Sequence, residues 1–233
     1  MKRISKFSLV LAMSLVFSAA PGRGQAPLRN YESDLSPLVL AQISDVNGNP
    51  PASLDTLLYF SRRCQSGAPL VPIIAPDNHQ VTFGEWTDVQ GQASVKCVYE
   101  GSHIVTHFSG LIPNGQYTCW IVAFDAPGFN GTNLANAFTF GPLGLQDGSQ
   151  NGFVADDEGE GQISATLPPG PMSLIHTRDF DGCLTDEFEF HVAIVYHGDG
   201  LTHGAAPGPV CTWAVQRAVV FKPYQPKTTT DQY

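Results

Sequence analysis

The sequence predicts an all-β protein, namely a single Ig-like or Greek-key antiparallel β-sandwich that follows a loop-rich N-terminal arm. The 233-residue chain contains 23 Gly and 18 Pro, residues that favour turns between short strands. Charged residues make up 14% of the chain, against about 25% in typical soluble domains. From residue 80 onward, apolar and polar residues alternate with a period of two, and no long helical periodicity is present.

The N-terminus has the features of an export signal. Lys2, Arg3 and Lys6 precede the apolar segment 7–17, and Ser18-Ala19-Ala20 offers small residues for cleavage. The apolar segment is too short to span a bilayer, which needs about 20 apolar residues. We therefore expect a secreted or periplasmic protein with no membrane span.

The remaining chain divides by composition. Prolines break its first part into loops, the alternating strands follow, and a polar segment ends the chain. The predicted organisation is a signal peptide over 1–24, an N-terminal arm over 25–79, a β-sandwich domain over 80–222 and a flexible tail over 223–233.

The most apolar strand of the mature chain lies within Phe108–Phe124. Pro113 fixes φ for a tight turn, and Asn114-Gly115 tolerates positive φ. The strand that follows is apolar on both faces, which predicts a central position in a sheet. The segment from Gln80 to Asp125 is expected to be a four-strand antiparallel run with a turn at Gly101-Ser102.

The later elements are shorter or separated by loops. A long connection, 126–148, suggests a crossover between two sheets or a functional loop. The expected elements after it are a hairpin formed by 152–155 and 162–167, a second strong strand over 188–197, and a last strand over 211–221.

The charge balance excludes some partners. The net charge is −9, and the mature chain is more acidic because four basic residues lie within the first 24. Nucleic acids and anionic membranes need clustered Lys and Arg, so neither is expected as a partner. The sequence names no partner, and an extracellular protein and a glycan are the candidates. Serine-hydrolase and phosphate-loop motifs are absent from the sequence. The main prediction is an exported, non-enzymatic binding or structural module without a cofactor.

Histidines motivate an alternative, a secreted protein that binds copper or zinc. The candidate ligands are His107, His191, His197 and His203. Six residues along one strand span about 20 Å, whereas zinc holds nitrogen ligands at about 2.0–2.1 Å. A site therefore requires neighbouring strands, for example His107 with His191, or the loop residue His203 folding back.

Carboxylates motivate a second alternative, a carbohydrate-active β-sandwich. Glu187 and Glu189 share one strand face about 6.6–6.8 Å apart, a separation that glycosidase carboxyl pairs use. The stretch resembles the alternating-carboxylate strand of jelly-roll glucanases, although His191 stands at the third acidic position.

The cysteines predict a disulfide framework in an exported protein. The chain contains 5 Cys, so at least one is unpaired or joins another chain. The preferred pair is Cys183 with Cys211, because these residues flank the last two strands.

One turn and strand resemble a known element. Gly110-Leu111-Ile112-Pro113-Asn114-Gly115, with the aromatic strand that follows, is similar to a segment of copper/zinc superoxide dismutases and of chordin-type (CHRD) domains. The resemblance implies a Greek-key β-sandwich. Trp120 and Val122 occupy the positions of the dismutase His-x-His copper ligands. The resemblance therefore implies a CHRD-like module without dismutase chemistry.

Overall fold

The computed structural model describes residues 34–35, 42–61, 69–129, 136–177 and 188–222. Within these ranges the chain forms strands and one short helix, and no helix there is long and apolar enough to cross a membrane. The elements are β1 (Asp34–Leu35), β2 (Ile43–Ser44), β3 (Tyr59–Phe60), α1 (Phe83–Thr87), β4 (Gln90–Val98), β5 (Gly101–Ser109), β6 (Gln116–Phe124), β7 (Ala137–Pro142), β8 (Gly152–Val154), β9 (Gly161–Leu167), β10 (Ile175–His176), β11 (Glu189–His197) and β12 (Trp213–Phe221).

Two antiparallel sheets enclose the core, so the predicted all-β sandwich is confirmed. The larger sheet has the order β1-β12-β11-β6-β7-β10, and β8 also pairs with β6. The smaller sheet has the order β4-β5-β9, and β2 pairs with β3 separately. Every pairing is antiparallel.

Strand β6 occupies the central position predicted for it. It pairs with β11 along its whole length on one side, and with β7 and β8 on the other. Asn114 in the preceding turn has φ of 58°, which confirms the predicted left-handed position. Tyr117, Cys119 and Ile121 face the core between the sheets, because successive side chains of a strand point to opposite faces.

The predicted four-strand run from Gln80 to Asp125 is wrong in two respects. Residues 83–87 form helix α1, because Thr82 and Glu85 make a capping box: Thr82 Oγ1 accepts from the Glu85 N–H, and the Glu85 carboxylate accepts from the Thr82 N–H. Strands β5 and β6 follow one another in sequence but belong to different sheets. The turn 110–115 is therefore a crossover between the sheets.

Two predicted turns also differ. Val98 pairs with Gly101, so the β4–β5 turn lies at Tyr99-Glu100 and not at Gly101-Ser102. Strands β8 and β9 do not form a hairpin with each other: β8 pairs with β6 and β9 pairs with β5. The alternation of apolar and polar residues identified the two strands. It did not identify their partners, which lie far away in sequence.

The described part of the N-terminal arm belongs to the same core as the sandwich. Its buried apolar side chains contact the main core cluster and are nearly inaccessible to solvent; they are Ile43, Leu58, Phe60, Ile73 and Ala75. The predicted signal peptide and C-terminal tail lie outside the described residues.

The larger sheet has a second apolar face that points away from the core. Trp120, Ala193, Val195 and Ala218 form a separate buried cluster on this outer face, with Trp213 among the residues packed against it. Strand β11 ends at His197, two residues beyond Val195 on the same face, and the loop 198–212 follows. This face and loop position the candidate site.

Candidate metal centre

His197 lies at the end of β11 on the outer face of the larger sheet. Its direct cross-strand neighbours are Gln116 of β6 and Trp213 of β12. Its exposed fraction is 1%, so the imidazole is held inside the protein although it stands at a strand end.

The two ring nitrogens of His197 have different surroundings. Nε2 lies 2.7 Å from Thr118 Oγ1, which also accepts a hydrogen bond of 2.8 Å from Trp120 Nε1. Nδ1 is buried and has no hydrogen-bond partner among the described residues. A buried polar atom without a partner is costly and calls for a bound ligand, water or ion. Nδ1 is therefore the nitrogen available for a metal.

The loop 198–212 folds back and brings two further ligands to His197. Asp199 Oδ2 lies 2.9 Å from His203 Nε2, and the His203 ring centroid lies 5.9 Å from that of His197. The loop is held by a hydrogen bond of 2.7 Å from the Gly198 N–H to the Thr212 carbonyl. At Gly208, with φ of 106°, an added Cβ would lie 2.4 Å from the His203 ring, so only glycine fits there.

His197, Asp199 and His203 each offer a ligand atom, and these atoms lie within 4.8 Å of one another. In a tetrahedral zinc site, ligand atoms at about 2.0–2.2 Å from the ion are about 3.4 Å apart. Small side-chain adjustments therefore convert the observed arrangement into a metal centre. Two imidazoles and one carboxylate form a set that zinc and other divalent transition metals accept.

The ionisation of the cluster suits a cation. Burial lowers the pKa of His197 to about 4, so the imidazole is neutral at neutral pH and keeps a lone pair. Burial alone would raise the pKa of Asp199, but a hydrogen bond from the Leu201 N–H and the contact with His203 hold it below its usual value. The carboxylate is consequently ionised.

Only part of the predicted histidine set converges. The loop brings His203 close to His197. This is one of the two arrangements expected from the sequence, the one in which His203 folds back. His107 is exposed on β5 of the smaller sheet, and His191 lies six residues from His197 along β11. The structure does not bring His107 and His191 together, because exposed His107 lies on the smaller sheet and buried His191 on the larger one.

His191 instead pairs with Glu189. Their Nε2 and Oε1 atoms lie 2.6 Å apart, and the side chains are 8% and 12% exposed. The Phe129 N–H also donates to Glu189 Oε1, and the Phe124 ring packs on the imidazole. Glu189 thus does not face an open groove of the kind that the carbohydrate-active alternative requires, and Glu187 lies outside the described residues.

The predicted Cys183–Cys211 disulfide is not formed, because Cys211 is a free cysteine. Cys211 lies in a turn with φ of 70°, two residues before the start of β12, and Cys183 lies outside the described residues. Cys119 is free and buried, whereas Cys97 is disulfide-bonded.

Sequence reasoning missed two members of the site. Asp199 follows His197 by two residues in the segment Gly198-Asp199-Gly200. An acid between glycines, directly after a strand-terminal histidine, was the available signal. Thr118 has no local signal, because the β6–β11 pairing alone brings it to His197.

A cavity of about 440 Å³ is lined by residues that neighbour the cluster in sequence or in the sheet. Thr202 and Gly204, which flank His203 in sequence, form part of its wall, and so does Gln116, the cross-strand neighbour of His197. Gly152 lines it as well and pairs with Thr118. His197, Asp199 and His203 are not themselves among the described residues that line the cavity.

The sequence matches no protein-family model, and no curated protein matches it at a significant level.

Proposed function

We propose that this protein is an exported β-sandwich module that binds a divalent transition metal, zinc or copper, through His197, Asp199 and His203. Two observations carry the proposal: His197 Nδ1 is buried without a hydrogen-bond partner among the described residues, and a ring nitrogen of His197 lies close to ligand atoms of Asp199 and His203. A coordinated metal satisfies this nitrogen.

The surroundings of His197 support coordination through Nδ1. With the metal on Nδ1, the proton resides on Nε2 and is donated to Thr118 Oγ1. Metal-bound histidines commonly donate their second N–H in this way, which fixes the tautomer and the ring orientation. The Thr118 hydroxyl oxygen has two lone pairs, so it can accept from both Trp120 and His197.

Export and the CHRD-like character belong to the same proposal. The basic and apolar N-terminal residues support export, as does the disulfide-bonded Cys97, because disulfides persist in oxidising compartments. The turn 110–115 and the strand after it support an Ig-like, CHRD-like sandwich. The proposed metal centre lies at different residues from the dismutase copper positions, Trp120 and Val122.

The test is a titration of the exported chain, purified without a histidine tag and stripped of metal. Isothermal calorimetry with Zn²⁺ and Cu²⁺ is expected to show one ion per chain. His203→Ala should weaken the affinity at least about 10–100-fold, the range seen for loss of even a supporting residue. The His203 side chain is 22% exposed, so its truncation should leave the fold intact, as a thermal melt will verify.

His107→Ala is the matched control, because it also removes one imidazole but lies on the other sheet. Its affinity should equal that of the wild type. The proposal fails if the wild-type protein takes up no ion, or if both variants lose affinity equally.

A further inference from the structure

A cavity lined by two strands and two loops has the size of a small-molecule site. Its volume of about 440 Å³ falls within the range of about 300–1,000 Å³ typical of ligand pockets. Its wall combines residues of β6 and β8 with residues of the loops 143–151 and 198–212. Folding thus assembles this wall from segments that lie far apart in sequence.

We propose that this cavity binds the positively charged side chain, arginine or lysine, of a protein partner. The inference goes beyond the proposed metal site and does not rest on it, because His197, Asp199 and His203 are not among the described lining residues. The charge, the hydrogen-bonding groups and the apolar surface of the wall each favour this class of ligand.

The charge of the wall favours a cation. Asp147 is its acidic residue, and the described lining residues include no Lys, Arg or His. Hydrogen bonds from the Ser149 N–H and hydroxyl, at 2.9 and 2.7 Å, reach one carboxylate oxygen, Oδ1, which leaves Oδ2 available to a ligand. The same bonds lower the pKa of Asp147, so the carboxylate is ionised at neutral pH. The net charge of −9 also attracts cations.

Several donors that could bind an anion are already used within the wall. The Gly148 N–H donates to a carbonyl of its own loop at 3.0 Å, and the Ser149 N–H donates to Asp147. The two hydrogens of the Gln116 side-chain amide are donated to backbone carbonyls at 3.1 and 2.8 Å, so its oxygen remains an acceptor. The Thr202 hydroxyl can accept as well as donate. Ammonium and guanidinium groups carry donors only, which match these acceptors.

Apolar surface favours a side chain of a polypeptide over a free amine. Val154 lines the cavity and is 58% exposed. Lysine and arginine cover such surface with their apolar stems while the charged head reaches a polar group. Leu201, next in sequence to the lining residue Thr202, is 59% exposed. Residues that flank the cationic side chain in a partner can cover it.

The experiment is an NMR titration of the ¹⁵N-labelled chain at low salt with blocked pentapeptides. The central residue, placed between two leucines, is arginine, lysine or citrulline, the neutral isostere of arginine. A cationic peptide should shift the amide signals of residues 147–154. The citrulline peptide should bind at least about threefold more weakly than the arginine peptide, a modest factor because ion pairs near solvent contribute little. Added salt should reduce this preference.

Asp147→Asn should abolish the preference for arginine over citrulline, because the variant removes the charge but keeps an oxygen that Ser149 can bond. Asp156→Asn is the matched control. It removes the same charge from an exposed turn, where Asp156 also accepts two backbone N–H bonds, but Asp156 does not line the cavity. Its preference should equal that of the wild type.

A third probe is agmatine, which carries the guanidinium head and the stem of arginine without a polypeptide. It should bind more weakly than the arginine peptide, because it cannot cover Leu201. Agmatine that binds as tightly as the peptide would overturn the protein as the source of the cation.

Three results would overturn the cation site itself: equal affinities for arginine and citrulline, a preference that survives Asp147→Asn, or a preference lost equally in both Asn variants. The last result would report the net charge of the chain and not the cavity. Metal binding is measured separately by calorimetry, so each of the two proposals can fail while the other stands.

Discussion

Tyr117 links two parts of the chain that are 99 residues apart. Its hydroxyl accepts a bond of 2.8 Å from the Ile112 N–H and donates one of 2.8 Å to Gln216 Oε1. Gln216 Nε2 continues the network to the Trp86 carbonyl. A tyrosine that bonds to the backbone a few residues upstream is also typical of Greek-key sandwiches. This single residue therefore fixes the crossover turn to the larger sheet.

Tyr117→Phe should destabilise the protein, because it leaves the buried Ile112 N–H and Gln216 Oε1 without partners. Each unsatisfied buried group costs about 1–3 kcal/mol. Urea denaturation should show a lower midpoint with an unchanged slope. Tyr99→Phe is the control, since Tyr99 is 92% exposed; its effect should stay within about 0.5 kcal/mol. Equal midpoints for the two variants would contradict the role assigned to Tyr117.

Helix α1 shows how a local signal competes with a strand pattern. The alternation of apolar residues from Gln80 predicts a strand, but the Thr82–Glu85 capping box satisfies backbone groups that a helix start would otherwise leave free. The capping box is also connected to a histidine, because Glu85 Oε1 lies 2.8 Å from His79 Nε2. The start of the helix is thereby coupled to a titratable group.

This coupling should make stability depend on pH. The hydrogen bond with Asp77 is the largest cause of the raised pKa of His79, and Glu85 adds to it. A folded-state pKa above the unfolded value of about 6.5 stabilises the fold fully below that value, and the stabilisation disappears as pH rises through the folded pKa. In urea denaturation, the stability difference between wild type and His79→Gln should therefore shrink from pH 6 to pH 9.

His103→Gln serves as the control for that series, because His103 contacts only the neutral Thr166 and Ser164 hydroxyls among the hydrogen bonds of the described residues. A difference for His79→Gln that stays constant with pH would refute the coupling.

At the scale of the whole molecule, the sequence predicts strands better than it predicts their partners. The apolar faces of β6 and β11 identify both strands and their buried positions. Their neighbours in the sheet are set by packing between distant segments, as the separation of β5 from β6 shows. Such long-range pairing leaves no local pattern.

The same reason explains the partial prediction of the proposed metal centre. His197 and His203 were recognisable as candidate ligands, and the folding back of His203 was one expected arrangement. Asp199 needed the loop conformation, and Thr118 needed the register of β6 against β11. Asp199 left a weak local signal, an acid between glycines close to a strand-terminal histidine, whereas Thr118, which a neighbouring strand contributes, left none.

The hydrogen-bond chain from Trp120 through Thr118 to His197 has an optical consequence. Of the 3 tryptophans, Trp120 and Trp213 lie on the outer face near the proposed metal centre. Trp86 instead contacts Tyr196 on the core side. Paramagnetic Cu²⁺ quenches nearby indole emission, and Zn²⁺ does not. We expect added Cu²⁺ to lower the intrinsic tryptophan fluorescence of the wild type. The decrease should be smaller in Trp120→Phe, and it should nearly vanish in the Trp120→Phe/Trp213→Phe double variant. Unchanged quenching in the double variant would place the copper elsewhere. The tryptophans of the outer face thus give the proposed copper site a fluorescence readout.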